Sequence, residues 1–242
     1  MWVLVTGATG TLGRRVVSEL EGRGHLVRAV GRPQVDVTTG TGVERAVEGV
    51  EAIIHSATDS RRPLTVDLAG IDRLSAAAGD DTHLLYPGIV GCDLVPTPYY
   101  RAKTQCEERV MKGRLPWTII RATQFHQLIW HWYTRPSRNP WLPVPAHTRY
   151  QVMDPGELAR LLVDAVDSGP GGRLPDVGGP VAYEARELAR SCVIASGSRR
   201  RVIAYNRPGI VGAALRAGAN LTPNRGGGET WNQFLQRRMD AR

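Results

Sequence analysis

The chain has 242 residues, of which 42% are hydrophobic, and a formal net charge of +8 at pH 7. That length can bury a full core as one α/β domain, alone or with a small added lobe. No apolar run of about 18 residues occurs, so we expect no membrane-spanning helix. Arginine carries nearly all of the positive charge and is scattered without a recognition motif, so we expect no nucleic-acid partner.

The reactive side chains indicate neither a disulfide framework nor a metal site. Cys92, Cys106 and Cys192 are odd in number and form no C-x-x-C motif, which is typical of a protein in a reducing cytoplasm. The six histidines show no metal-ligand spacing on a clear helix face, so we expect no metal ion. The first residues already read as a strand, and we expect no cleavable signal segment.

The N-terminal stretch MWVLVTGATGTLGRRVVSEL predicts a strand that turns into a helix. Residues 2–5 form a continuous apolar run, and residues 11–20 have helical apolar spacing. Between them stand Gly7, Gly10 and Gly13. A turn without Cβ atoms lets backbone N–H groups and the positive helix end approach a pyrophosphate. The pattern predicts a dinucleotide site, and the alternative is a tight turn without a ligand.

Strand and helix patterns alternate through the first half of the chain. The predicted strands are 25–30, 51–58, 82–91 and 116–123, and the predicted helices are 42–50, 64–79 and 99–113. This alternation predicts an α/β fold with a doubly wound parallel sheet (Rossmann) and a small C-terminal substrate lobe.

The composition changes near residue 124, where QFHQLIWHWYTRPSRNPWLPVP combines prolines with a cluster of aromatic residues. We interpret this segment as an aromatic loop that begins the lobe. Residues 1–123 then form the NADP-binding core, and residues 124–242 form the lobe mixed with the last core elements, in one structural unit. The sequence DPGE opens a helix at Asp154. Later elements are predicted at 184–196, 201–205, 208–217 and 229–240.

The residue about 20 positions past the glycine turn indicates the cofactor, since an acidic side chain there bonds the ribose 2′-OH of NAD. Gly31 stands in that place, between Arg28 and Arg32, whose guanidinium groups suit a dianionic 2′-phosphate. We therefore expect NADP(H), with Arg14 as a third phosphate ligand. The alternative is that Arg28 and Arg32 are merely solvated.

Seven motifs, which include the glycine turn, follow one another along nearly the whole chain: VTGATGTLGR, IIHSAT, YYRAK, LPWTIIRATQFH, VMDPGELARLLVDAV, PDVGGP and GGGETWNQFL. Together they resemble the short-chain dehydrogenase/reductase superfamily, and more closely its atypical NmrA-like branch. The resemblance implies a pyrophosphate turn made of Gly7, Ala8, Thr9, Gly10, Thr11, Leu12 and Gly13. It implies that Asp36 and Val37 face the adenine. It also implies a ribose and nicotinamide side lined by His55, Ser56, Ala57, Thr123, Gln124 and Phe125.

The resemblance further implies that Tyr99 donates a proton while Lys103 holds the ribose and lowers the pKa of the tyrosine. That chemistry needs both side chains one helical turn apart, and their i, i+4 spacing provides this. The alternative is a pair of residues on a solvated helix face. Tyr100, beside Tyr99, leaves the identity of the acid open.

One position departs from the pattern of the superfamily, whose reductases use a serine to bind the substrate carbonyl. Where relatives would read Y-x-S-I-V-G, this chain has YPGIVG, so Gly88 replaces the expected hydroxyl. Loss of a preorganised donor typically costs about two to three orders of magnitude in rate. Thr97 and His126 are candidate substitutes.

These observations favour a ketoreductase-like, NADPH-dependent enzyme that reduces a carbonyl or an activated double bond of a small molecule. The aromatic residues of the lobe, with Trp130 and Trp132 beside the substrate, indicate a large aromatic intermediate of secondary metabolism. They could instead pack the lobe onto the core. An NADP(H)-sensing regulator without turnover is the alternative function, because Gly88 removes the usual serine. We expect a monomer or a homodimer.

Overall fold

The computed structural model describes residues 1–241 and contains a central sheet of six parallel strands. These residues form the strands β1 (Trp2–Thr6), β2 (Leu26–Val30), β3 (Ala52–His55), β4 (His83–Ile89), β5 (Trp117–Ala122), β6 (Trp141–Pro145), β7 (Arg149–Tyr150), β8 (Gly172–Arg173), β9 (Tyr183–Glu184) and β10 (Arg201–Tyr205). The central sheet has the order β2-β1-β3-β4-β5-β8. Each neighbouring pair is parallel, as the alternating pattern predicts.

Helices cover both faces of this sheet, which makes the fold doubly wound. They are α1 (Gly13–Gly22), α2 (Val43–Val47), α3 (Ala69–Ala77), α4 (Pro98–Met111), α5 (His126–Thr134), α6 (Pro155–Ser168), α7 (Ala185–Ser196), α8 (Gly209–Arg216) and α9 (Trp231–Asp240). A π-helical turn, Leu64–Leu68, leads directly into α3. One core cluster packs α1 and α6 against the sheet, and a second packs α2, α3 and α4 against its other face.

The predicted helix starts rest on capping groups. Asp154 accepts a hydrogen bond from the Gly156 N–H, and Pro155 occupies the first turn of α6, where its missing N–H costs nothing. At α4, the Thr97 side chain accepts a hydrogen bond from the Tyr100 N–H, and Pro98 occupies the first turn. At α9, Thr230 and Gln233 form a reciprocal capping box. Local side chains thus determine where these helices begin.

The segment predicted as an aromatic loop after residue 124 is instead a helix followed by a strand. The helix, α5, has nine residues and lies before the first proline of the segment. No proline therefore interrupts it before Pro136. Pro143 and Pro145 lie in β6, which pairs with β10 in a two-stranded sheet outside the central one. Edge pairing of this kind tolerates residues that lack an N–H donor.

A third core cluster holds the lobe together. Side chains of α5, α7 and α9 pack there with those of β6, including the buried Ile129, Leu188 and Phe234. Within residues 1–241, no helix is long and apolar enough to cross a membrane. The same residues contain no group of three or more His, Cys, Asp or Glu side chains that could hold a metal ion.

Candidate active site

A cleft of about 990 Å³ runs across the carboxyl ends of the central strands, from the loop after β2 to helices α5 and α9. It passes the switch point between β1 and β3, where doubly wound sheets bind their ligands. Most of the predicted site residues line it: Gly7, Thr9, Gly10, Thr11, Leu12, Arg32, Asp36, Val37, His55, Ser56, Ala57, Gly88, Tyr99, Lys103, Thr123, Gln124, Phe125, Trp130 and Trp132.

The glycine turn between β1 and α1 packs closely against the loop after β3, and its own two ends pack closely against each other. Gly7 has a φ of +65°, and a Cβ atom there would lie 2.7 Å from Ala57 Cα, in the loop after β3. A Cβ at Gly13 would lie 2.8 Å from Ala8 Cα. The turn therefore keeps a bare backbone at the start of α1, and this cradle fits a pyrophosphate.

The loop after β2 forms one end of the cleft. Arg32 lies exposed on its rim, and Val37 is buried on its floor. The Asp36 carboxylate accepts hydrogen bonds from the Thr38 N–H (2.8 Å) and hydroxyl (2.7 Å). These bonds hold the pKa of Asp36 below its usual value. A cationic side chain and a carboxylate with its own donors thus define this end.

Two predicted phosphate ligands do not line the cleft. The Arg28 guanidinium points the other way, donating to the carbonyls of Ala46 (2.7 Å) and Glu48 (2.8 Å) at the end of α2 and lying over the Trp2 ring. Those unsatisfied helix carbonyls attract a cation and hold Arg28 away from Arg32. Arg14 donates to the Thr9 carbonyl at 2.6 Å, so it braces the glycine turn.

Helix α4 brings Tyr99 and Lys103 to the middle of the cleft. Lys103 is 4% exposed; its Nζ atom lies 3.2 Å from Asp67 Oδ1 and 4.4 Å from the centre of the Tyr86 ring. Burial opposes the charged form of the lysine, but the Asp67 carboxylate overcomes this and raises its pKa. Lys103 is therefore a fixed cation beneath the cleft and not a residue on a solvated helix face.

Asp67 was not predicted as a functional residue. It lies in the π-helical turn before α3, is fully buried, and receives the Lys103 ammonium and the Asp59 N–H on its two oxygens. Its carbonyl oxygen pairs with His55 Nε2 (3.1 Å), while His55 Nδ1 pairs with Thr6 Oγ1 (2.7 Å). Burial lowers the pKa of His55 to about 4. A lone carboxylate inside the apolar stretch LTVDLAG was the available signal.

The two adjacent tyrosines have different partners. The Tyr99 hydroxyl lies 3.1 Å from Thr58 Oγ1 at the open side of the cleft. The Tyr100 hydroxyl accepts a hydrogen bond from Gln124 Nε2 (3.0 Å), and burial raises the pKa of Tyr100 to about 12. A phenol with so high a pKa is a poor proton donor near neutral pH. The Tyr99 hydroxyl is thus the more exposed of the two candidate acids.

Gly88 lines the cleft, and the space that a side chain would need there is already filled. A Cβ atom there would overlap Glu107 Oε1 and lie 2.9 Å from Arg121 Cγ. Glu107 and Arg121 form a buried ion pair (2.6 Å), which Asp93 extends at 2.9 Å. A serine at this position has no room, so the departure from the superfamily pattern is built into the packing.

Neither proposed substitute for the missing serine reaches the cleft. The Thr97 hydroxyl is used as the N-cap of α4. His126 is fully buried below the cleft, with its ring 5.2 Å from that of Phe234 and 5.8 Å from that of Trp231. Packing of the lobe therefore explains His126 better than substrate contact does. The hydroxyl that lies beside Tyr99 is that of Thr58.

Trp130 and Trp132 lie where the cleft meets the interior of the lobe. Both line the cleft. The Trp130 ring also packs edge-on against Phe234 at 6.3 Å, and the Trp132 ring packs edge-on against Tyr150 at 5.9 Å. Both rings are therefore fixed by contacts within the lobe, and the contact of either ring with a substrate stays a prediction.

Residues 3–70 match the model of the NAD dependent epimerase/dehydratase family. A (4-alkanoyl-5-oxo-2,5-dihydrofuran-3-yl)methyl phosphate reductase of Streptomyces griseus is 29% identical, over 76% of this chain and 70% of that protein. Two solved structures share the fold. UDP-glucose 4-epimerase of Thermus thermophilus with NAD has a TM-score of 0.72 at 18% identity, covering 99% of this chain and 98% of that one. dTDP-4-dehydrorhamnose reductase of Bacillus anthracis with NADP has a TM-score of 0.71 at 15% identity, covering 100% of this chain and 99% of that one.

Proposed function

We propose that the chain, which is similar to members of the short-chain dehydrogenase/reductase superfamily, is an NADPH-dependent reductase of a carbonyl or an activated double bond. One observation carries this proposal. The buried Lys103 cation lies one helical turn from Tyr99, and both line the cleft that the glycine turn opens. That arrangement pairs a proton donor with a fixed positive charge next to a dinucleotide cradle.

The preference for NADPH rests on the loop after β2. Gly31 offers no carboxylate, and the exposed Arg32 lies at the cleft rim, where its guanidinium would meet a 2′-phosphate. The Asp36 carboxylate already accepts two hydrogen bonds from Thr38. A bidentate guanidinium is well suited to a phosphate dianion. The bare backbone at Gly7 and Gly13 accommodates the pyrophosphate that NADP and NAD share.

The chain's own residues would handle the proton and its charge. When bound, the cofactor supplies a hydride to the substrate carbon. The Tyr99 hydroxyl donates its proton to the substrate oxygen, and the phenolate that remains is stabilised by the nearby Lys103 ammonium. Asp67 keeps that ammonium charged and in place at 3.2 Å. The Thr58 hydroxyl, 3.1 Å from Tyr99, orients the phenol toward the cleft.

The substrate half of the cleft suits a large planar molecule. Its walls include Phe125, Trp130 and Trp132, and aromatic faces bind flat apolar bodies at low conformational cost. The volume of about 990 Å³ belongs to the whole cleft, which the cofactor and the substrate would share. We assign the substrate to the polycyclic or aromatic intermediates of secondary metabolism.

A spectrophotometric assay of NADPH oxidation tests this function. The purified protein is incubated with NADPH and a panel of quinones, cyclic ketones and enones. We expect Lys103→Met to lower kcat at least about 100-fold, because general acid catalysis is worth at least that much and the Tyr99 phenolate would lose its stabilising cation. Lys112→Met is the matched control because Lys112 ends the same helix and is exposed. Undiminished turnover by Lys103→Met would overturn the assignment.

A cofactor sensor without turnover is the second candidate, and Gly88 favours it. The Glu107–Arg121 ion pair excludes the serine that would bind a substrate carbonyl. A sensor would retain NADPH binding yet reduce no member of the panel. It would also recover a partner protein in the presence of NADP(H) and lose that partner in its absence.

A further inference from the structure

The end of the cleft beside α5 lies across the sheet from Arg32 and is built differently. Its lining residues include Gln124, Gln127, Trp130, Trp132 and, from α9, Arg238. The carboxylates that line the cleft are Asp36 and Asp59, which follow β2 and β3. This end therefore combines aromatic surface with a guanidinium and has no acidic side chain among the described lining residues.

Arg238 has no carboxylate partner within residues 1–241. Its guanidinium lies over the rings of Trp130 and Phe234, at 5.4 Å from each centre. The preceding residue, Arg237, is paired in contrast with Glu229 through two hydrogen bonds of 2.8 Å. Stacking on aromatic rings orients a guanidinium but leaves its N–H donors open. Arg238 thus presents an oriented cation to the cleft.

Two amide oxygens at this end also lack partners in the described part of the chain. Gln124, 5% exposed, uses its Nε2 atom to bond Tyr100 but leaves Oε1 buried and unbonded. Gln127 Oε1 is likewise buried and unbonded. Buried polar atoms of native proteins nearly always have a partner. Since both side chains line the cleft, a bound ligand that carries hydroxyl or N–H groups would supply it.

We propose that the substrate carries an anionic group, a phosphate, carboxylate or sulfonate, and that Arg238 binds it while the planar body rests against Trp130. This inference rests on the proposed function and defines its substrate class. An anion is favoured because a stacked, unpaired arginine attracts a negative charge and because no carboxylate lines this end of the cleft to repel it. Arg238 is a specificity residue in this account, not a catalytic one.

Calorimetric titration of the NADP-saturated protein tests the proposal with two probes that share one ring system. Naphthalene sulfonate carries the anion, and naphthalene methanol has a neutral group in its place. We expect the sulfonate to bind at least about tenfold more tightly, a difference near 1.4 kcal/mol. Arg238→Gln removes the preference, whereas Arg238→Lys retains part of it. Arg237→Gln, one residue away and turned toward Glu229, leaves the preference unchanged.

Several results would overturn the proposal. They are equal affinities of the wild type for both probes, no binding of either probe, and an Arg238→Gln variant that keeps the preference. A variant that loses NADPH affinity while its probe preference persists would assign Arg238 to the cofactor pyrophosphate instead. Melting curves verify that each variant is folded. Because no turnover is measured, the outcome stays separate from that of the NADPH oxidation assay.

Discussion

Gly88 lies against the buried Glu107–Arg121 ion pair. The expected serine is absent because Glu107 fills the space that its Cβ atom would take, and Arg121 holds Glu107 there. Sequence comparison with the superfamily pattern located the departure but not its cause. The cause is visible only in the structure, where α4 packs on β5 and joins residues 14 positions apart in the chain.

We therefore expect Gly88→Ser to destabilise the protein. The new side chain must displace Glu107 from a buried ion pair, and overpacking of this kind costs about 1–3 kcal/mol. Chemical denaturation measures the change in the free energy of unfolding. Gly79→Ser serves as the control, since a Cβ there meets only Thr82 Oγ1 at 3.6 Å. Equal stability of the two variants would show that the ion pair does not close this position.

Helices and strands with strong local signals could be predicted from the sequence. Caps at Thr97, Asp154 and Thr230 define the starts of α4, α6 and α9, and the alternation of strands with helices gives the parallel sheet. Helix α5 could not be predicted in this way, because its N-cap residue, Phe125, makes no side-chain capping bond. Tertiary packing on α7 and α9 stabilises it instead.

In the site, too, residues placed by local sequence patterns could be predicted, and residues placed by long-range contacts could not. The glycine turn, Tyr99 and Lys103 follow local spacing rules, and the structure brings them to one cleft. Asp67 was not predicted because its ion pair with Lys103 joins residues 36 positions apart in the chain. The helix carbonyls that hold Arg28 belong to α2, 17 to 20 positions farther along. Such long-range contacts leave no periodic trace in the sequence.

Across the whole molecule, buried neutral histidines make stability depend on pH. Burial lowers the pKa values of His55, His83 and His126 to about 4 each. The unfolded chain takes up protons near its ordinary pKa of about 6.5, before the folded protein does. Their stabilising contribution is therefore complete above about pH 6.5 and is lost as the pH falls toward 4.

We expect the Tm to decrease steadily between about pH 6.5 and about pH 4.5, as measured by calorimetry. His126→Met removes one of the three groups and should reduce this decrease. His131→Met is the control, since His131 is exposed on the same helix. A Tm that stays constant over this range, or an equal effect of both variants, would contradict the role of buried histidines.

The most direct test of the account is calorimetric titration of the protein with NADPH and with NADH. Because Gly31 lacks a carboxylate and Arg32 lies on the cleft rim, NADPH should bind at least about tenfold more tightly, or about 1.4 kcal/mol. Arg32→Ala should abolish this difference, and Arg28→Ala should preserve it because that side chain is held at α2. Equal affinities for both cofactors, or no binding of either, would contradict an NADPH-dependent reductase.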